Sequence, residues 1–187
     1  ESTYGDRNHR DRPATVRELG DVLEQAWADR GNVLIPAFAV GRSQELLYWF
    51  ARHWDEWNLS RWRVFLDSPM AGKVVQIYGR HHELFDMEAQ EVWRGSPNPF
   101  RLPNLHITES TAESMAINQI TNGAIIIAGS GMANGGRIQH HLRHNLDRPE
   151  CHVVIVGFQA PGTLGRQLVD RVPEVTIHGR RVRCAAQ

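Results

Sequence analysis

Ala124-Ile-Ile-Ile-Ala-Gly-Ser-Gly-Met-Ala-Asn-Gly-Gly-Arg137 decides the fold. Its first five residues are apolar without in/out alternation, as in a parallel strand covered by helices on both faces. The glycine-rich turn then opens a stretch with helical spacing, Gly136–Leu142. Strand, tight turn and helix in that order form the repeating unit of an α/β sheet. Val153-Val-Ile-Val156 has the same continuous apolar character, and Asn32–Phe38, Arg63–Leu66 and Leu105–Ile107 read as further strands.

Between these runs lie amphipathic patterns. Val16, Leu19, Leu23 and Ala26 form one stripe at 3.6-residue spacing, with Pro13 near its start, and Leu46, Leu47, Phe50 and Trp54 form a second. Pro69–Phe85, Ala112–Gln119 and Leu164–Asp170 read as additional helices, and Val175–Cys184 as a hairpin around His178-Gly179. The expected architecture is α/β in three layers, a mostly parallel sheet with helices on both faces. Ser96-Pro-Asn-Pro-Phe100 through Pro103 is the most turn-rich seam, but residues 1–187 read as a single domain.

A hydrophobic content of 41% over 187 residues is enough for a sizeable core. Acids and bases balance at 21 each, which excludes a disordered tail or a uniformly basic nucleic-acid coat, so any nucleic-acid contact is a local patch. Of the basic residues only Lys73 is not Arg, and the Arg fork suits phosphate oxygens; a coding bias toward Arg accounts for it equally. Cys151 and Cys184 form no CxxC pair, so a reducing, cytoplasmic compartment is expected. No apolar run approaches the roughly 20 residues of a membrane helix. The chain enters at Glu1 rather than Met and reads as a piece of a longer protein.

Four loops share one design, in which a strand ends and a Gly-, Ser- or Pro-containing turn starts a helix. They are Phe38–Ser43, Asp67–Ala71, Gly129–Arg137 and Gly157–Thr163. In an open parallel sheet such loops gather at the carboxyl ends of the strands, where ligands bind. In Gly129–Arg137 the glycines let backbone amides approach an anion and Arg137 is a candidate bidentate phosphate contact, although the glycines serve equally as a tight turn. The loop is neither a Walker A motif nor a spaced GxGxxG fingerprint.

Other side chains give weaker signals. His140 and His144 lie four apart with His141 beside them, and His81-His82 form a pair, but no HExxH or carboxylate cluster accompanies them. Arg137 and Arg143 would repel a cation on the same helix, so solvated histidines are the expectation. Asp67 is a candidate general base or a cap of the next helix. Ser130 lacks the GxSxG setting of a nucleophile elbow. Trp49, Trp54 and Trp57 follow a helical repeat that favours core packing over base stacking.

Taken together, Glu1-Ser-Thr-Tyr-Gly-Asp-Arg7, Ile35-Pro-Ala-Phe-Ala-Val-Gly-Arg-Ser-Gln-Glu-Leu46, Leu66-Asp-Ser-Pro-Met-Ala71 and the Gly129–Arg137 loop resemble the β-CASP family, over nearly the whole chain. In that family a Rossmann-like cassette is inserted into a metallo-β-lactamase fold, and the Ser-Gly-Met-x-x-Gly-Gly-Arg form looks most like its RNA-processing branch. The resemblance implies that Glu1 orients an active-site histidine, and that two zinc ions are bound in the full-length protein by signatures absent from this sequence. It implies that the cassette closes over that metal site, as a partner of the metallo-β-lactamase domain in the same chain, and that single-stranded RNA threads the cleft. Phosphates would be held near Arg42, Ser43, Ser68, Ser130, Gly131, Arg137 and Thr163, an expectation drawn from loop placement and family architecture. The isolated cassette is expected to be inactive. Competing readings are a stand-alone RNA- or nucleotide-binding module using Gly129–Arg137, and a surface for homodimerisation or partner subunits.

Overall fold

The structure, a computed structural model, describes residues 3–5, 8–95 and 97–187. Helix α1 (Arg12–Ala28) is started by Asp11, whose carboxylate accepts from the Ala14 amide at 2.9 Å. Strand β1 (Val33–Pro36), α2 (Arg42–Arg52), β2 (Arg63–Asp67), α3 (Pro69–Arg80), α4 (Met87–Arg94) and β3 (Leu105–Ile107) follow. Then come α5 (Thr111–Ile117), β4 (Ala124–Ala128), α6 (Arg137–Asn145), β5 (His152–Val153), α7 (Leu164–Val169), β6 (Glu174–Ile177) and β7 (Arg180–Arg183).

Strands β1 to β5 form one parallel sheet in the order β3-β2-β4-β1-β5. Because successive side chains on a strand point to opposite faces, each central strand feeds two cores. Val33, Ile35, Val64, Leu66, Ile125 and Ile127 pack under α1, α2 and α3 with Leu23, Phe50 and Val75. Leu34 and Ala128 face α6 and α7 with Ile138, Leu142 and Leu164, while Ala124 and Ile126 face Ile117 of α5. The three-layer α/β expectation therefore holds.

The hairpin β6–β7 turns at His178 (φ 49°) and Gly179 (φ 72°), the left-handed pair that a two-residue type I′ turn requires. It lies outside the main sheet, packing Val175, Ile177 and Val182 against the α6 side.

Three elements differ from the sequence reading. The last sheet strand pairs only at His152–Val153, and Val153–Val156 are half-buried, because β5 is an edge strand with β1 as its single sheet neighbour. Its outer rim is met by Gln187, whose carbonyl accepts from Val153 N at 2.8 Å. The helix expected over Pro69–Phe85 ends at Arg80, and Leu84 beyond it points to solvent with no core to pack on. Helix α4 was not among the expected helices, although Ala89, Val92 and Trp93 give it an apolar face at helical spacing; that face is only half-buried, and none of its residues is fully buried. Its other sequence signal is the cap, Asp86, which accepts from Ala89 N at 2.8 Å.

Of the tryptophan stripe, Trp57 is buried, and Trp49 and Trp54 pack against the same core. Helix α2 ends before Trp54, and His53 stacks between Trp49 and Trp57, with ring centroids at 5.7 and 4.5 Å.

Candidate ligand-binding edge

All five sheet strands run the same way, so the loops after β1, β2, β4 and β5 share one edge. Their strands are neighbours in the order β2-β4-β1-β5. The chain leaves β1 and β2 toward α2 and α3 on one face, while between them it leaves β4 toward α6 on the other. Loops that diverge from adjacent strands open a crevice, and here the glycine-rich loop is the divergence point. Tyr4 meets Phe158 of the last loop edge-on at 6.2 Å, which brings the start of the chain to the same edge.

The glycine-rich loop is closed by its own backbone. Ser130 N donates to Gly135 O at 3.1 Å, Ala133 N to Ser130 O at 3.0 Å, and Ile138 N to Gly129 O at 3.0 Å. Gly136, just before α6, has φ 75° and ψ −173°, and a Cβ there would stand 2.4 Å from Gly129 O. The neighbouring loop holds it in place: Gln159 Nε2 donates to Gly131 O at 3.0 Å and Leu164 N to Asn134 Oδ1 at 2.9 Å. The amides of Gly135, Gly136 and Arg137 have no acceptor among the described residues.

Asp67, the last residue of β2, is fully buried. One carboxylate oxygen accepts from Thr108 Oγ1 and from Arg137 Nη1 (2.8 Å); the other accepts from Ser114 Oγ (2.6 Å) and His141 Nε2 (2.6 Å). Burial alone would raise the Asp67 pKa, but the bonds from His141, Ser114 and Thr108 outweigh it and hold the carboxyl well below the usual range. Asp67 is thus neither an exposed base nor a helix cap. Ser68 is the cap, its Oγ accepting from Ala71 N at 3.2 Å. Of the helix histidines, His140 and His144 are exposed as expected, whereas His141 is completely buried. It falls on the inward stripe of α6 with Ile138, Leu142 and Asn145.

The remaining sequence candidates separate into accessible and committed groups. Arg42 is exposed enough to reach a ligand and pairs with Glu45 at 2.5 Å. Ser130 is half-buried, and its hydroxyl lies 3.3 Å from Gly135 O. Arg137 directs Nη1 at Asp67 and Nη2 at Glu109 O (2.8 Å), so its fork does not present both ends to a phosphate. Ser43 is buried and donates to Phe38 O at 2.8 Å. Thr163 is buried at the start of α7 and donates to Ala160 O at 2.7 Å, and Gly131 lies buried beneath the Phe38 ring. Glu1 lies outside the described residues. Phe38, half-exposed across the loop, was not singled out from sequence because an apolar residue at a strand end carries no local signal of exposure.

Ser43→Ala is expected to lower stability by about 1 kcal/mol, the net worth of one hydrogen bond. Phe38 O keeps the Ser43 amide as donor. Thermal melts and RNA binding measured together should show a small loss of Tm and unchanged affinity.

The zinc ions implied by the family resemblance find no donor set here. Among the described residues no three His, Cys, Asp or Glu side chains converge to hold a metal. Asp67 and His141 are committed to each other, and burial and the Arg143 charge are among the influences that lower the pKa of both His140 and His144.

The fold and edge define a class, a three-layer parallel α/β domain that presents a glycine-rich loop at a topological switch point. The Beta-Casp domain model matches residues 43–168, and the chain belongs to that family. It is 44% identical over 182 residues to Ribonuclease TTHA0252 of Thermus thermophilus, covering 97% of this chain and 42% of that protein. It is 31% identical over 186 residues to the transcription termination factor FttA of Methanocaldococcus jannaschii, covering 96% and 29% respectively. It is 28% identical over 172 residues to Probable RNase MJ4 of the same organism, covering 91% and 37%. The chain thus spans less than half the length of each of these relatives.

Proposed function

We propose that this chain is the RNA-holding domain of a zinc-dependent RNA-processing ribonuclease, closing over a metallo-β-lactamase domain in the same protein. The observation that carries the reading is the glycine-rich switch loop, whose amides at Gly135, Gly136 and Arg137 have no acceptor among the described residues and which shares one sheet edge with Arg42, Ser68 and Ser130, in a chain similar to a named ribonuclease. Single-stranded RNA is the proposed ligand because the edge offers backbone donors, the Arg42 guanidinium and the half-exposed Phe38 ring for a base to stack on. The zinc ions belong to residues outside this sequence, and no bond-breaking step is assigned to side chains of this chain. Glu1 keeps its proposed role of orienting a histidine of the metal-binding part. The two free thiols, Cys151 and Cys184, suit a reducing compartment such as the cytoplasm. No described helix is long and apolar enough to cross a membrane.

With added zinc, the 187-residue chain alone is expected not to hydrolyse single-stranded RNA, and to support cleavage when joined to its metal-binding part in one polypeptide. Metal-dependent cleavage by the 187 residues alone would overturn the proposal. In the joined protein, Arg42→Ala should weaken RNA binding and make the plot of log affinity against log salt shallower by about 0.7 per lost phosphate contact. An unchanged slope would instead point to the edge as a protein-binding or dimerisation surface.

A further inference from the structure

The Asp67 carboxylate ties together elements far apart in sequence. Its donors come from the end of β3 (Thr108), from α5 (Ser114) and from two positions on α6 (Arg137 and His141). His141 extends the chain through Nδ1 to Asn118 Oδ1 at 2.8 Å, just past the end of α5. Arg137 stands between this buried set and the crevice. Its terminal nitrogens are held by Asp67, by Thr108 O (3.4 Å) and by Glu109 O (2.8 Å), and its Nε has no partner among the described residues. The side chain keeps 23% of its surface exposed.

We infer that Asp67 and His141 are positioning residues for RNA binding: they lock Arg137 so that the glycine-rich loop is held in its gripping form and the two N–H groups left over on the guanidinium, at Nε and Nη2, are held in place for the ligand. This rests on the RNA-holding reading above. Neither residue can touch RNA, since both side chains are completely buried. Any effect on binding must therefore pass through their neighbours, and Arg137 is the one among the bonded partners of Asp67 that reaches the crevice. A fork clamped at two ends loses little further freedom on meeting a phosphate, so the lock lowers the entropic cost of binding.

The test compares RNA affinity with folding in the intact protein, using a fluorescent oligouridylate and working well below the melting temperature of every variant. Asp67→Asn is expected to weaken binding about tenfold, the worth of one charge-assisted hydrogen bond, while near-ultraviolet circular dichroism reports a folded domain. Should Asp67→Asn not fold, Arg137→Lys carries the same test. Its ammonium can pair with the carboxylate but cannot also span the two carbonyls, so binding should weaken at least about fivefold while Tm falls by only a few degrees. A folded variant of either kind with wild-type affinity would overturn the inference. Wild-type protein that binds no RNA would overturn the RNA-holding reading itself, so the two failures are distinguishable.

Discussion

Asp67→Asn should lower the stability of the domain by about 3–5 kcal/mol at pH 7, the range found when one partner of a buried ion pair is removed. At about 2–4 °C per kcal/mol for a domain of this size, that is a fall in Tm of roughly 6–20 °C. Asn keeps the shape but loses the charge, leaving Arg137 beside a neutral amide and placing an NH2 where a lone pair now receives either Thr108 and Arg137 or Ser114 and His141. The effect depends on pH in a defined direction. The folded Asp67 pKa is depressed, so its stabilisation is fully present above the unfolded value of about 4 and is lost as pH falls toward the folded value. The gap between wild type and variant should therefore be widest near neutrality and narrower at pH 3. Denaturant titrations at the two pH values check this; equal gaps would mean that the ionised carboxylate contributes nothing.

That prediction concerns a residue whose surroundings were hidden in the sequence, although its strand was plain. Ala124–Ala128 was legible because an uninterrupted apolar run of strand length has few other uses in a chain this polar, and Arg63–Leu66 and Leu105–Ile107 because they are short apolar-rich segments bounded by polar and turn residues. The sharing of one edge by four loops was legible too, since it follows from parallel strands alone. The Asp67–His141 pair was not, because its members lie 74 positions apart and pattern-based reading sees only local spacing. A faint signal existed: His141 falls on the same stripe as Ile138, Leu142 and Asn145, all buried, whereas His140 and His144 do not. The i, i+4 spacing of those two drew attention to the wrong histidines. Ser43 and Thr163 were misleading for a different reason. Hydroxyls at helix starts are as useful to the backbone as to a ligand, and sequence cannot show which way the proton points. Helix α4 escaped because it is short, and its apolar face of Ala89, Val92 and Trp93 spans barely one turn.

The loop itself gives the other large expected effect. Gly136→Ala should abolish the gripping form of Gly129–Arg137, weakening RNA binding about tenfold or more, the worth of at least one charge-assisted contact. Two independent costs meet at this position. Its backbone, φ 75° with ψ −173°, lies in a region essentially confined to glycine, a strain of about 1–3 kcal/mol for Ala. The new methyl would also stand 2.4 Å from Gly129 O and 3.0 Å from Ser130 N, both backbone atoms. The peptide that closes the loop must then move, and with it the bond from Ile138 N to Gly129 O. Gly135→Ala is the matched control: its Cβ meets nothing within 4 Å and it is not among the positive-φ residues, so stability should change by no more than about 0.5 kcal/mol. Melts and RNA titrations of the two neighbours separate a specific loop conformation from general glycine flexibility. If both variants bind RNA alike, the conformation at Gly136 is irrelevant to binding and the loop is only a turn.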